Sequence, residues 1–168
     1  RSSGNWRLSL HREHPALDLS PCYIDLKPSL LANPGLLALA ADLLVEQLRS
    51  VIESADQISG VPLGGKIIAI IVAYRTSKPM VFLAGRETEG VLSPDDQVVL
   101  FEDVVTAGGS VRRSVEALRG GGARVIGIGS VLDRGPEKSR LVGIPYASLF
   151  YFQETVLPFF LREKLADP

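Results

Sequence analysis

The sequence predicts an α/β fold, a single domain whose mainly parallel twisted sheet is flanked by helices and carries a small N-terminal hood. Three observations predict it. Apolar runs of strand length alternate with segments of helical spacing, the order that builds parallel sheets. The strand candidates Met80–Leu83, Gln97–Phe101 and Arg124–Leu132 are apolar on both faces, as strands covered from both sides are. The length of 168 residues supports one hydrophobic core and leaves little room for two. The domain is expected to take in residues 1–168, with about 1–30 as the hood and about 31–168 as the core and a C-terminal helix.

The elements follow in chain order. The opening "RLSLHREHPALDLSPCYIDLK" mixes short alternating pieces with Pro15 and Pro21, so it reads as an irregular cap over the sheet. Asn33 caps a helix that Pro34 opens, and Leu37, Ala41, Leu44, Leu48 and Val51 recur on one face. A short strand, a glycine-rich turn and an apolar helix from about Lys66 to Tyr74 come next, then the strand Met80–Leu83. Gln97–Phe101 is a strand, and Ser110–Arg119 is a helix through Val111, Val115 and Leu118, stopped by Gly120–Gly122. Arg124–Leu132 and Tyr146–Phe152 are the last strands, and Gln153–Lys164 is a helix starting near Pro158. No internal repeat or low-complexity tract is present.

Composition narrows the partners. Eighteen basic and 19 acidic side chains leave a net charge of −1, with no basic face for nucleic acid and no polybasic run for a membrane surface. No apolar run reaches the roughly 18 residues of a spanning helix, and the polar start "RSSGNWR" does not read as a signal peptide. A soluble, cytoplasmic protein is expected. The single cysteine, Cys22, excludes an internal disulfide and a cysteine metal cluster. His11 and His14 lack further His or Cys ligands and read as solvated side chains.

The chemistry concentrates in "VVLFEDVVTAGGSV", Val98–Val111. An apolar strand runs into two carboxylates, Glu102 and Asp103, and then into Thr106, Ala107, Gly108, Gly109 and Ser110 at a helix start. Ligands of open parallel sheets bind beyond the carboxyl ends of strands. A glycine loop feeding a helix N-terminus offers backbone N–H groups and a positive dipole end to a phosphate. Two carboxylates beside a phosphate make sense if they face hydroxyl donors or a cation, and a sugar phosphate meets both demands.

This stretch resembles the signature of the type I phosphoribosyltransferases, in which it binds phosphoribosyl pyrophosphate. Further stretches resemble the orotate phosphoribosyltransferases, in the correct order from about Ser20 to Phe150. "SPCYIDLK", Ser20–Lys27, is similar to that family's Ser-Pro-x-Tyr-x-Asp-Leu-Arg segment; "GVPLGGKIIA", Gly60–Ala69, to its pyrophosphate loop; "SVLDR" and "GIPYASLF" to its last core strands. The resemblance implies a type I phosphoribosyltransferase-like fold and phosphoribosyl transfer from phosphoribosyl pyrophosphate to orotate, with Mg²⁺ carried by the substrate rather than held directly by protein. It implies that Glu102 and Asp103 position the ribose as the catalytic pair, Thr106–Ser110 hold the 5-phosphate, Leu63, Gly64, Gly65 and Lys66 hold pyrophosphate, and Arg134 binds the base. It implies a homodimer that shares its lid between subunits.

Two departures stand out. The family's Lys-Ser-Gly upstream of the Ser-Pro segment is replaced by "PALDLSP", so the base is less fixed than the transfer itself. The family's cationic lid between its third strand and the acidic strand is missing: "AGRETEG", Ala84–Gly90, resembles only the lid's exit, with Arg86 as its remnant. Either the lid is lost, or a flexible segment is missing from the sequence between Leu83 and Ala84; the start at Arg1 and the cut into a loop remnant favour the second. The connection "DRGPEKSRLVGIP" is open to the same explanation. A phosphoribosyl pyrophosphate sensor without catalysis, and transfer to a base other than orotate, are the rival functions.

Overall fold

The computed structural model describes residues 24–85, 87–135 and 143–163, with the side chain of Phe160 left aside. Residues 1–23 of the predicted hood, with His11, His14, Cys22 and the first half of the Ser20–Lys27 segment, and Arg86 lie outside the described residues.

The chain opens with α1 (Lys27–Ala32), α2 (Pro34–Gln47) and α3 (Arg49–Ser54). Asn33 Oδ1 accepts the Leu36 N–H at 3.1 Å, the cap that the Asn-Pro pair predicts. The single stripe predicted through Val51 is split, because the backbone leaves helical geometry at Leu48 (φ −106°, ψ 17°). Both pieces still lie on the sheet, with Leu37, Ala41, Leu44, Leu48 and Ile52 buried.

The main sheet has four parallel strands in the order β1 (Gln57–Gly60), β4 (Gln97–Val105), β5 (Arg124–Asp133), β6 (Tyr146–Tyr151). Alternation sorts its side chains onto two faces. Val99, Phe101 and Val131 pack with α2, α3 and α4 (Gly64–Thr76), whereas Val98, Leu100 and Ile128 pack with α5 (Gly109–Gly120). Glycines on β5 let the helices come close: a side chain at Gly127 would meet Val51, and one at Gly129 would meet Leu48 and Phe101. A π-type turn, Phe152–Val156, precedes α6 (Leu157–Arg162), where Pro158 sits in the first turn.

The predicted strand Met80–Leu83 behaves differently from a core strand. Met80 makes one parallel bridge to Ile58, and the Val81 N–H donates to the Ile58 carbonyl at 3.1 Å. Ser59 Oγ, fully buried, donates to the Val81 carbonyl at 2.8 Å. The chain then leaves the sheet as β2 (Phe82–Ala84), which pairs antiparallel with β3 (Glu87–Glu89). In this hairpin Leu83 pairs with Thr88 and Ala84 with Glu87, and Gly85 leaves β2 with φ 67°.

The outer position of Met80 sets the topology. From β1 the chain passes through α4 to that side of β1, while from β4 it passes through α5 to β5 on the other side. The two connections cover opposite faces, so the strand order reverses between β1 and β4 and opens a crevice at their carboxyl ends.

That crevice is floored by a backbone contact only glycine permits. A Cβ on Gly65 would overlap the Phe101 carbonyl and Glu102 Cα, and one on Gly60 would overlap the backbone of Gly65 and Lys66. Replacing Gly65 with Ala should therefore destabilise the fold by about 1–3 kcal/mol in denaturant unfolding. Gly120→Ala, at the end of α5 where nothing lies within 4 Å, should be neutral or slightly stabilising. Equal stability of the two variants would contradict the contact.

Candidate active site at the ends of β1 and β4

Glu102 and Asp103 lie within β4, which runs four residues beyond the predicted end at Phe101, to Val105. Both are buried, at 6% and 7% exposure. Successive strand residues start from opposite sides, yet the two carboxyl groups stay close enough to interact with each other. Glu102 shares its face with Ser130 and Ser148, its lateral neighbours on β5 and β6. Asp103 faces the start of α4, where a side chain on Gly64 would overlap its carboxyl group.

Burial and the neighbouring Asp103 set the charge of Glu102. Desolvation first, then its hydrogen bonding with Asp103 and the charge of Asp103, push its pKa from 4.5 to about 9. The Asp103 N–H, donating to Glu102 Oε1 at 2.9 Å, and the charge of Lys27 oppose this without reversing it. At neutral pH Glu102 is therefore a neutral acid that both donates and accepts a hydrogen bond.

Lys27 supplies a cation beside the pair. Its ammonium is 2.7 Å from Asp25 Oδ1 and 3.9 Å from Asp103 Oδ2, and its N–H donates to Asp25 Oδ1 at 3.1 Å. The start of α1 is thereby tied to the site floor. The sequence carried the signal, since Asp25 and Lys27 close the Ser-Pro-x-Tyr-x-Asp-Leu segment, but no role was read from it.

The loop after β4 forms the second wall. Gly108 takes φ 71° as the N-cap of α5, a conformation that favours glycine, and its carbonyl accepts the Arg112 N–H at 2.9 Å. Thr106 and Ser110 are exposed, Ala107 and Gly109 half-buried, and Gly108 buried. The first N–H groups of a helix have no partner within it, so α5 directs donors and its dipole at the crevice.

The remaining predicted residues divide. Val61 N–H donates to the Phe101 carbonyl at 2.8 Å, which fixes the turn after β1 beside β4. Leu63 is exposed, Gly64 and Gly65 are buried, and the Pro62–Leu63 peptide bond is cis. Lys66 points elsewhere: its N–H donates to the Val61 carbonyl at 3.2 Å and its ammonium lies 5.3 Å from the centre of the Phe82 ring. Arg134 follows β5, its N–H donating to the Val105 carbonyl at 2.7 Å and its guanidinium 6.0 Å from the centre of the Phe152 ring.

A row of hydroxyls also borders the site. Ser130 Oγ is 2.8 Å from Tyr146 Oη and donates to Ser148 Oγ at 2.9 Å, and Ser148 Oγ donates to the Phe150 carbonyl at 2.9 Å. Burial raises the Tyr146 pKa above its ordinary value. No spacing in the sequence marked this row, because the three hydroxyls meet only through strand register. Among the described residues no group of three or more His, Cys, Asp or Glu side chains could hold a metal ion, and no helix is long and apolar enough to cross a membrane.

No protein-family model matches the chain. It is 40% identical to an orotate phosphoribosyltransferase of Pyrococcus abyssi, over 67% of this chain and 65% of that protein. It is 34% identical to one of Thermococcus kodakarensis, over 76% of this chain and 72% of that protein. Among solved structures, the orotate phosphoribosyltransferase of Aeropyrum pernix superposes with a TM-score of 0.73 at 30% identity, covering 88% of this chain and 86% of that one. The chain thus spans about 65% of the length of the Pyrococcus abyssi relative.

The raised pKa gives a stability signature. Between about pH 4.5 and 9 folded Glu102 keeps a proton that the unfolded chain has lost, so this group's contribution to stability falls as pH rises through that window. Glu102→Gln removes the effect. The melting temperature of the variant relative to wild type should rise steadily from pH 5 to pH 8; parallel melting curves across that range would show that Glu102 ionises normally.

Proposed function

Because the chain belongs to the orotate phosphoribosyltransferase family, we propose that it transfers the 5-phosphoribosyl group from phosphoribosyl pyrophosphate to orotate, giving orotidine 5′-phosphate and pyrophosphate in pyrimidine biosynthesis. The observation that carries this reading is the convergence at the β1/β4 switch point of a buried acid pair and a glycine loop opening α5. Each half recognises one part of a sugar phosphate.

The ribose hydroxyls meet Glu102 and Asp103. With Glu102 neutral, the pair offers both a donor and acceptors and carries less charge toward a polyanionic substrate than two carboxylates would. The 5-phosphate lies on the N–H groups of the Thr106–Ser110 loop. Leu63, Gly64 and Gly65 hold pyrophosphate through their backbone. Arg134, steadied by Phe152 and by its N–H bond to Val105, presents its guanidinium to the orotate carboxylate. Lys66 is a weaker pyrophosphate ligand in this arrangement, since its N–H and ammonium already have partners within the chain.

In this proposal magnesium arrives on the diphosphate with its water ligands, and the largely buried Asp103 carboxyl is the oxygen donor it would meet on β4. When bound, that ion would stabilise charge on the departing pyrophosphate. Asp103 would hold the ribose and favour positive charge growing at the anomeric carbon. A homodimer working in the cytoplasm completes the proposal, drawn from the family.

A second reading is favoured by the β2–β3 hairpin. Where the family resemblance implies a cationic lid, this chain turns at Gly85 between two short strands. A binder of phosphoribosyl pyrophosphate with weak turnover would look like this.

Steady-state assays with phosphoribosyl pyrophosphate, Mg²⁺ and orotate, adenine or other bases separate the two. Turnover restricted to orotate supports the transferase, and Asp103→Asn should then lower kcat/KM by roughly 10²-fold. Tight binding with no turnover of any base supports the binder, and absence of binding rejects both.

A further inference from the structure

The start of α5 holds charge of the wrong sign for an isolated helix. Its first turn contains no acidic residue, and Arg112 and Arg113, separated from the loop by Val111, stand where the first turn passes into the second. A helix N-terminus carries a partial positive charge, so two guanidiniums there are unfavourable until an anion arrives. Both are exposed, and no packing demand accounts for them.

Their direction is informative. Helical side chains lean toward the N-terminus, so residues in the second turn's beginning reach back over the loop. Arg112 Nη2 donates to the Ala107 carbonyl at 3.0 Å, and Arg113 Nη2 donates to Ser110 Oγ at 3.1 Å. A methyl group placed on Gly109 would sit 3.6 Å from Arg113 Nη1. Glu116, at helical spacing from both arginines, is available as an ion-pair partner, yet each of these hydrogen bonds leads back to the loop.

We propose that Arg112 and Arg113 are additional ligands of the sugar-phosphate group, a cationic rim that supplements the backbone cradle of Thr106–Ser110. This rests on the phosphoribosyl reading above and deepens it. Arg113 bridges Ser110 and a phosphate oxygen, so the hydroxyl and the guanidinium bind the anion together. Arg112 shapes the loop through Ala107 and adds charge. Neither contact reads the base or the leaving group, so the pair strengthens capture of any 5-phosphorylated ribose.

Titration calorimetry of wild type, Arg112→Gln/Arg113→Gln and Arg119→Gln with ribose 5-phosphate, and with phosphoribosyl pyrophosphate plus Mg²⁺, tests this at low and high salt. The double variant should bind both compounds about tenfold more weakly at low salt, with the gap narrowing at high salt. Arg119→Gln, at the far end of α5, should match wild type. The ligand-free melting temperature of the double variant should stay level or rise, because charge repulsion at the helix start is relieved. Equal affinities of wild type and double variant would overturn the proposal while leaving the phosphoribosyl reading intact. A loss of affinity accompanied by a lower ligand-free melting temperature would also overturn it, showing that the arginines only brace the loop. If the double variant fails to fold, Arg113→Lys and Arg113→Gln decide the matter: the lysine variant should keep most of the affinity and the glutamine variant should lose it. Absence of binding by wild type would sink both proposals together.

Discussion

Two missing side chains, at Gly64 and Gly65, let the start of α4 lie directly against the end of β4, and the site depends on that contact. The atoms a side chain would displace are the Asp103 carboxyl at one position and the Phe101–Glu102 backbone at the other. With Val61 bonded to the Phe101 carbonyl, the turn after β1 is held in register with the acidic segment. The walls of the crevice are therefore set by main chain rather than by adaptable side chains. Placement of this kind suits catalysis that relies on position and field more than on covalent chemistry.

The electrostatics follow from the same packing. An acid pair beside a phosphate site is a contradiction if both acids are ionised. Burial removes half of it by keeping the proton on Glu102, and the Lys27 ammonium, held first by Asp25 at 2.7 Å and 3.9 Å from Asp103, offsets part of the rest. The fold thus holds two acids near an anion site with less negative charge than two ionised carboxylates would carry. Lys27 also joins the start of α1 to β4.

How much of this was legible in the sequence depended on the range of the signal. Alternating apolar runs gave the parallel sheet, and the Asn33–Pro34 cap and the Gly108–Ser110 helix start were local signals that the structure places where they were expected. The break at Leu48 was hidden, because the apolar spacing continues across it with Leu48 and Ile52 both buried. Met80–Leu83 reads as a core strand since Val81 and Leu83 are fully buried, but their cover comes from α5 and its neighbours rather than from a full strand ladder. Site residues that depend on register or on long side chains were the least visible. The hydroxyl row of Ser130, Tyr146 and Ser148 exists only because β5 and β6 align as they do. Lys66 looked suited to pyrophosphate by position, yet a helix-start lysine has reach enough to settle over Phe82 instead.

The hairpin makes the hardest demand on the transferase reading. A lid excludes water and brings cations to a leaving group. β2 and β3 are each three residues long and joined by a tight turn, with Glu87 and Glu89 exposed, so this segment brings negative charge to the edge of the domain. Lys66 lies against the base of that hairpin, at Phe82, on the first turn of the helix whose glycines line the crevice. The ring contact engages the half-buried Lys66 ammonium, so turning it to a phosphate would first break the contact with Phe82. In a chain with so short a connection, cationic help for a departing pyrophosphate has to come from the crevice walls or from outside the described residues.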